Sequence, residues 1–178
     1  VTAPVETEMG GIRFEDNGDV TIITGTLDYG QGHAVAFAQV LHSFLGIPFE
    51  RIKLLQGDSD ELITGGGTGG SKSIMASGGA IIEAATEVIK KAKTVAAYFF
   101  ETSEEDIEFK NGNLTVAGTD KSVSLIELSS ELKTNFTKPD GIPDTLDVKL
   151  DHGGVPSAFP NGCHICEVEI DPDTGAVK

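Results

Sequence analysis

The chain has 178 residues, and its 13 Lys and Arg against 28 Asp and Glu leave a formal net charge of −15. That balance offers no basic patch to displace counterions, so nucleic acid and anionic membrane surfaces are excluded as general partners. Glycine is in excess, 22 residues against a usual share of about 7%, and it serves either as flexible filler or where backbone must approach something closely.

Val1 to Gly10 lacks the basic and apolar regions of a signal peptide, and no apolar run reaches the roughly 18 residues that cross a bilayer. Ile12 to Glu15 and Val20 to Ile23 alternate around Asp16-Asn17-Gly18, which predicts a hairpin. From His33 to Leu45 the apolar Phe37, Val40, Leu41, Phe44 and Leu45 recur at helical spacing, and Gly46 with Pro48 ends that helix. Arg51 to Gln56 reads as a strand. A longer helix is predicted from Ser71 to Phe100, with Ile74, Ile81, Ala85, Val88, Ala92, Val95 and Phe99 on one stripe.

Ile107 to Phe109 and Leu114 to Val116 flank Asn111-Gly112, a second hairpin signal. A short helix follows near Ser124 to Leu132. Asn135 to Pro160 holds four of the seven prolines and reads as irregular connection. Cys166 to Ile170 alternates ahead of the turn Asp171 to Gly175, and the return strand is only beginning at Lys178. Hairpins alternating with helices predict an α+β or mixed α/β sandwich, and the chain reads as one piece of a longer polypeptide, cut inside a hairpin.

Two glycine-rich loops open the two main helices. In Thr24 to His33, Gln31 stands between Gly30 and Gly32, and its side-chain amide offers both donors and an acceptor, which suits the edge of a pterin or base. A tight turn with Gln31 capping solvent-facing amides is the alternative. In Gly65 to Ser73, five glycines, two serines and Lys72 precede the long helix. Unpaired amides at a helix start, backed by the dipole, stabilise an anion such as phosphate; the alternative is a flexible loop before a Ser-capped helix. A nucleotide-hydrolase P-loop fits poorly, because Ser71 takes the place of the required Gly before Lys72 and the strand ends near Gln56, well ahead of the loop.

In order, Val20 to Thr26, Gly30-Gln31-Gly32-His33, Gly46-Ile47-Pro48, Gly57-Asp58-Ser59-Asp60, Gly67-Thr68-Gly69-Gly70-Ser71-Lys72-Ser73, Gly79-Ala80 and Phe159-Pro160-Asn161-Gly162 resemble the large, molybdenum-binding subunit of the xanthine dehydrogenase and aldehyde oxidase family, which includes the aerobic carbon monoxide dehydrogenases. The resemblance covers nearly all of this chain and a minor part of such a subunit, so the expectation is a single stretch, 1–178, of a molybdopterin-binding domain truncated at both ends. It implies an oxidoreductase acting on an aldehyde, a purine-like heterocycle or carbon monoxide, with water as oxygen source. The implied cofactor is molybdopterin with molybdenum, often a dinucleotide in bacteria, such as the cytosine form.

By resemblance, cofactor contacts fall to Gly30, Gln31 and Gly32, and to Thr68, Gly69, Gly70, Ser71 and Ser73. Lys72 stands where many relatives carry Arg, which keeps the charge and loses the bidentate fork. The family's catalytic base is a glutamate in Gly-x-Gly-Glu; none of Glu61, Glu83, Glu87 or Glu101 lies in that pattern, so part of a cofactor site without a catalytic residue or metal ligand is expected here. Implied partners are the rest of the molybdenum subunit, iron-sulfur and flavin subunits or domains, and a small-molecule substrate.

The remaining signals are weaker. Cys163 and Cys166 form a Cys-x-x-Cys, but on a strand they point to opposite faces, and two cysteines cannot close a tetrahedral zinc site; so few cysteines favour a reducing, cytoplasmic setting. Asp58, Asp60 and Glu61 lack the Gly and terminal Glu of a calcium loop. A second function remains open beside the enzyme: a non-catalytic anion-binding or subunit-interaction module. Seven glycines fall between Gly65 and Gly79, where a cofactor's phosphates need bare backbone.

Overall fold

The computed structural model describes residues 5–134 and 139–177. Two sheets share one long helix. In the first, strands β1 (Val5–Phe14) and β2 (Val20–Thr24) form the expected hairpin, with Ile12 opposite Ile22 and Phe14 opposite Val20. Helix α1 (His33–Leu45) crosses over to β3 (Ile52–Leu55), which runs parallel to β2. Every residue of β2 is buried, as expected for a strand paired on both sides and covered by helices.

Helix α2 (Ser73–Phe100) has 28 residues, about 42 Å at 1.5 Å each. It packs against β1 and α1 and continues to the second sheet, formed by β4 (Ile107–Lys110), β5 (Asn113–Val116) and β6 (Ser122–Ser124). The β4–β5 turn is the expected Asn111-Gly112, both at positive φ, the geometry whose twist matches antiparallel strands. Helix α3 (Leu125–Thr134) follows. The mixed helices and sheets bear out the α+β expectation.

The core joins both sheets through α2: Ile81, Ala85, Val88, Ala92 and Val95 are fully buried with Ile12, Ile22, Phe37, Leu41, Ile107 and Leu125. Contact is close because small residues face each other; a Cβ on Gly10 of β1 would lie 2.3 Å from the Ala80 carbonyl oxygen.

Three expectations are corrected. The stretch from Asn135 to Pro160 is not all irregular: beyond 135–138, which lie outside the described residues, it contains β7 (Val148–Val155), the edge strand antiparallel to β1 in the sheet order β3-β2-β1-β7. Among the described residues the supposed strand Cys166 to Ile170 has no ladder and only Ile170 bridges Val177 across the expected turn, where Asp171 Oδ1 accepts the Asp173 and Thr174 amides at 3.0 Å. Finally, the ends of two helical stripes leave the core, since Phe44, Ile74 and Phe99 are exposed.

Candidate functional site

The two glycine loops meet above the end of β2. Gly25 lies directly on Gly65: a Cβ on Gly25 would be 2.4 Å from Gly65 Cα, so a side chain there forces the loops apart. The Gly67 amide donates to the Gly25 carbonyl at 3.2 Å. Thr68 then clasps the first loop from both sides, its hydroxyl donating to Leu27 O at 2.6 Å and accepting from Leu27 N at 3.0 Å. The glycine cluster therefore does more than leave bare backbone. Gly65 packs loop on loop, and Gly79 lies within α2 beneath His152, whose Nε2 would be 3.0 Å from an added Cβ.

Glu8 of β1 supports this junction from below. It is fully buried, and its Oε1 accepts the Gly25 amide at 2.8 Å and the Met9 amide at 3.1 Å, while Oε2 has no partner among the described residues. Burial pushes this carboxyl above the usual Glu value, and the two backbone amides only partly offset that.

The two helix starts differ. At α1 the left-handed Gly32 turns the chain, and the Asp28 carboxylate takes the amides there: Oδ1 accepts from Gly30 and Gln31 at 2.7 Å, and Oδ2 from His33 at 2.8 Å. Those amides hold Asp28 below the ordinary Asp value, Gly30 contributing most. The α1 terminus is thus filled by an internal anion. The Tyr29 amide donates to Gln31 Oε1, so the side-chain amide of Gln31 has its acceptor engaged and its NH2 left to give. The mixed donor and acceptor role read from the sequence narrows to a donor.

At α2 no acidic side chain among the described residues fills the terminus. Lys72 is the N-cap with no side-chain cap, and the first turn has no acidic residue, so the opening amides face outward with the positive end of a long dipole. Ser71, just before, holds φ +56, a left-handed conformation that costs a non-glycine residue about 1–2 kcal/mol. Lys72 turns back, its Nζ 3.3 Å from the Gly66 carbonyl.

Between the two loops lies a cavity of about 480 Å³. Of the eight loop residues singled out from the sequence, Gln31, Thr68, Gly69, Ser71 and Ser73 line it; Gly30, Gly32 and Gly70 are not among its lining residues. Ile74, Ala36, Phe37 and His33 complete the wall. His33, which closes the Gly30-Gln31-Gly32-His33 motif without being among the eight, is 3% exposed, stacks on Phe37 at 4.8 Å between ring centres, and has its Nε2 without a partner among the described residues. Behind it Gln56 Nε2 reaches Thr24 Oγ1 at 2.8 Å, Thr26 Oγ1 at 2.9 Å and His33 Nδ1 at 3.3 Å, and Thr26 meets Ser77 of α2 at 3.0 Å. A larger cavity of about 570 Å³, between the β1–β2 turn and α3, is lined by Glu15, Asp16, Asp19 and Glu127 against the one Lys133, a charge balance that repels an anion.

The first cavity therefore presents donors: a side-chain amide, two serine hydroxyls and an uncapped helix start. Such a wall fits an acceptor-rich, anionic ligand carrying phosphate and a heteroaromatic ring. Among the described residues no group of three or more His, Cys, Asp or Glu is placed to hold a metal ion. Cys163 and Cys166 are exposed, free and outside any sheet, so the strand-face argument does not apply to them.

Residues 2–178 match the family described as the molybdopterin cofactor-binding domain. The chain belongs to that family. The chain is 37% identical over 169 residues to the nicotine 6-hydroxylase large subunit of Paenarthrobacter nicotinovorans, covering 94% of this chain and 21% of that protein. It is 32% identical over 168 residues to the carbon monoxide dehydrogenase large chain of Hydrogenophaga pseudoflava, again 94% and 21%. A crystal structure of Cu,Mo-carbon monoxide dehydrogenase superposes with TM-score 0.75 at 30% identity, over 82% of this chain and 18% of that one. Quinoline 2-oxidoreductase from Pseudomonas putida 86 gives 0.72 at 26% identity, over 97% and 22%. The chain thus spans about a fifth of the length of the curated relatives, and the molybdopterin-binding family is the one whose ligand the donor-rich cavity suits.

Proposed function

We propose that this chain supplies one wall of the molybdopterin site in the large subunit of a molybdenum hydroxylase, an enzyme oxidising an aldehyde, a purine-like heterocycle or carbon monoxide with water as oxygen source. One observation carries the reading: the two loops that the family resemblance selects converge on a single donor-lined cavity at the uncapped start of α2. In it, the first-turn amides of α2, Gly69, Gly70 and the hydroxyls of Ser71 and Ser73 take phosphate oxygens, and the Gln31 NH2 donates to the pterin. Thr68, Gly25 and Asp28 hold the loops in place. When bound, the cofactor supplies two-electron redox chemistry at molybdenum; this chain binds and orients it, and no residue here is assigned a proton-transfer role.

The cytosine dinucleotide form, iron-sulfur and flavin partners and a cytoplasmic setting belong to the same proposal. The relatives' names as large subunit and large chain support assembly, and the free Cys163 and Cys166 accord with a reducing compartment. An interaction role has its own support. Phe159, Ile165, Val168, Ile170 and Val177 lie exposed along the unladdered C-terminal run, the kind of apolar surface that meets a partner, and the rest of the subunit is the partner proposed.

The test is Gln31→Ala in the full-length protein, made in a host that synthesises the cofactor. Loss of bound molybdenum and pterin with an unchanged fold is expected; unchanged occupancy removes Gln31 from the site.

A further inference from the structure

Thr26 is buried just past the end of β2, and its hydroxyl is a node where three elements meet. The side-chain amide of Gln56, the residue after β3, donates to Thr26 Oγ1 at 2.9 Å and to Thr24 Oγ1 at 2.8 Å. Thr26 Oγ1 also lies 3.1 Å from Thr24 Oγ1 and 3.0 Å from Oγ of Ser77, one turn into α2. A hydroxyl has one proton and two lone pairs, so these three contacts use it completely. Thr24 and Ser77 are fully buried too, and a satisfied polar network in a core fixes a single arrangement of the elements it joins. Leu27 extends the same hold: its amide donates to the Thr68 hydroxyl at 3.0 Å, and its carbonyl accepts from that hydroxyl at 2.6 Å. The pair Thr26-Leu27 therefore fastens the second loop on both sides, at Thr68 and at Ser77. Between those two points the chain enters α2 through Gly69, Gly70, Ser71, Lys72 and Ser73, with Gly70 at φ +64 and Ser71 at φ +56. A non-glycine residue persists in a left-handed conformation only where its surroundings hold it there, and two fixed ends on a bowed segment do so.

We propose that Thr26 is a positioning residue of the site: its hydroxyl, held by Gln56 and tied to Ser77, sets the start of α2 against the Gln31 loop, so that the Ser71 and Ser73 hydroxyls and the α2 amides stand ready for the cofactor's phosphate. The inference rests on the reading that this cavity holds molybdopterin. Donors arranged in advance bind more tightly, because the ligand does not have to order them. Thr26 is buried behind the wall and acts through α2 rather than by touching the ligand.

Three substitutions in the full-length protein test it, read by molybdenum and pterin retained per polypeptide and by the rise in unfolding temperature on cofactor loading. Thr26→Val keeps the shape and removes the hydroxyl. Thr26→Ser keeps the hydroxyl. Ser77→Ala cuts only the contact to α2, and it serves where Thr26→Val does not fold. The expected result is a loss of about tenfold in retained cofactor and a smaller loading shift for Thr26→Val and Ser77→Ala, with both readouts restored in Thr26→Ser. Wild-type retention by Thr26→Val and Ser77→Ala overturns the role of Thr26 and leaves the site reading intact. Equal destabilisation of loaded and cofactor-free protein, which leaves the loading shift unchanged, assigns the network to stability alone and also overturns it. So does a Thr26→Ser protein that retains no more cofactor than Thr26→Val. Wild-type protein that carries neither molybdenum nor pterin overturns the site reading itself.

Discussion

Asp28 and Glu8 hold the same loop by carboxylates whose environments pull them in opposite directions. Asp28 is held below the ordinary 3.8 by the amides of the α1 start, so the stability it contributes is present above its unfolded-state value and lost as pH falls through the depressed one. Thermal unfolding followed against pH is expected to show Asp28→Ala less stable than wild type at neutral pH, the two converging on acidification. Glu8 lies above the ordinary 4.5 because it is buried, and the sign reverses: the folded state binds the proton more tightly, and stability is lost as pH rises through the raised value. Glu8→Gln keeps an acceptor for the Gly25 amide and removes the charge. It is expected to match wild type in acid and exceed it at neutral pH; a variant less stable than wild type at neutral pH contradicts a burial-dominated Glu8. Neither role is legible in the sequence. Asp28 looks like any loop acid until Gly30 and Gly32 turn the amides onto it, and Glu8 looks like an outward strand position until the Gly65 loop covers it.

Among the elements, α2 was the most legible and its ends the least. The buried stripe from Ile81 to Val95 follows from helical periodicity alone, whereas Ile74 and Phe99 continue the period past the point where sheets cover it. The consequence is measurable by denaturant unfolding: Ile81→Ala is expected to cost about 2–5 kcal/mol as a cavity in a closed core, and Phe99→Ala, half-exposed with an edge contact to Phe100 at 5.2 Å, about 1 kcal/mol or less. Equal costs at both positions contradict the observed packing. Strand β7 was illegible for a different reason. Val148-Lys149-Leu150-Asp151-His152-Gly153-Gly154 carries two glycines and alternating polar residues among prolines, and what makes it a strand is a non-local ladder to β1, Met9 opposite Asp151, which no local pattern announces. The Asn111-Gly112 hairpin was legible because its turn type is set by two adjacent residues.

At the scale of the whole molecule, a net charge of −15 coexists with a donor-lined cavity, since the donors are backbone amides, hydroxyls and a side-chain amide rather than Lys or Arg. The gathering of both loops on one cavity was legible only through the family motifs; periodicity placed the helices but not their starts relative to each other. On the proposed assembly, the exposed apolar side chains from Phe159 to Val177 are covered by the rest of the subunit. Limited proteolysis of the full-length protein is expected to leave this run uncut while nicking it in the isolated chain; rapid cleavage in both contradicts that placement. The most direct measurement is molybdenum and pterin content in full-length protein purified from a cofactor-making host, for wild type and for Gln31→Ala combined with Ser73→Ala. Near-stoichiometric cofactor in wild type, and a loss of at least about tenfold in the double variant without a change in unfolding of the cofactor-free protein, is the predicted result; a wild type devoid of molybdenum, or a double variant that retains it fully, contradicts a cofactor site between these loops.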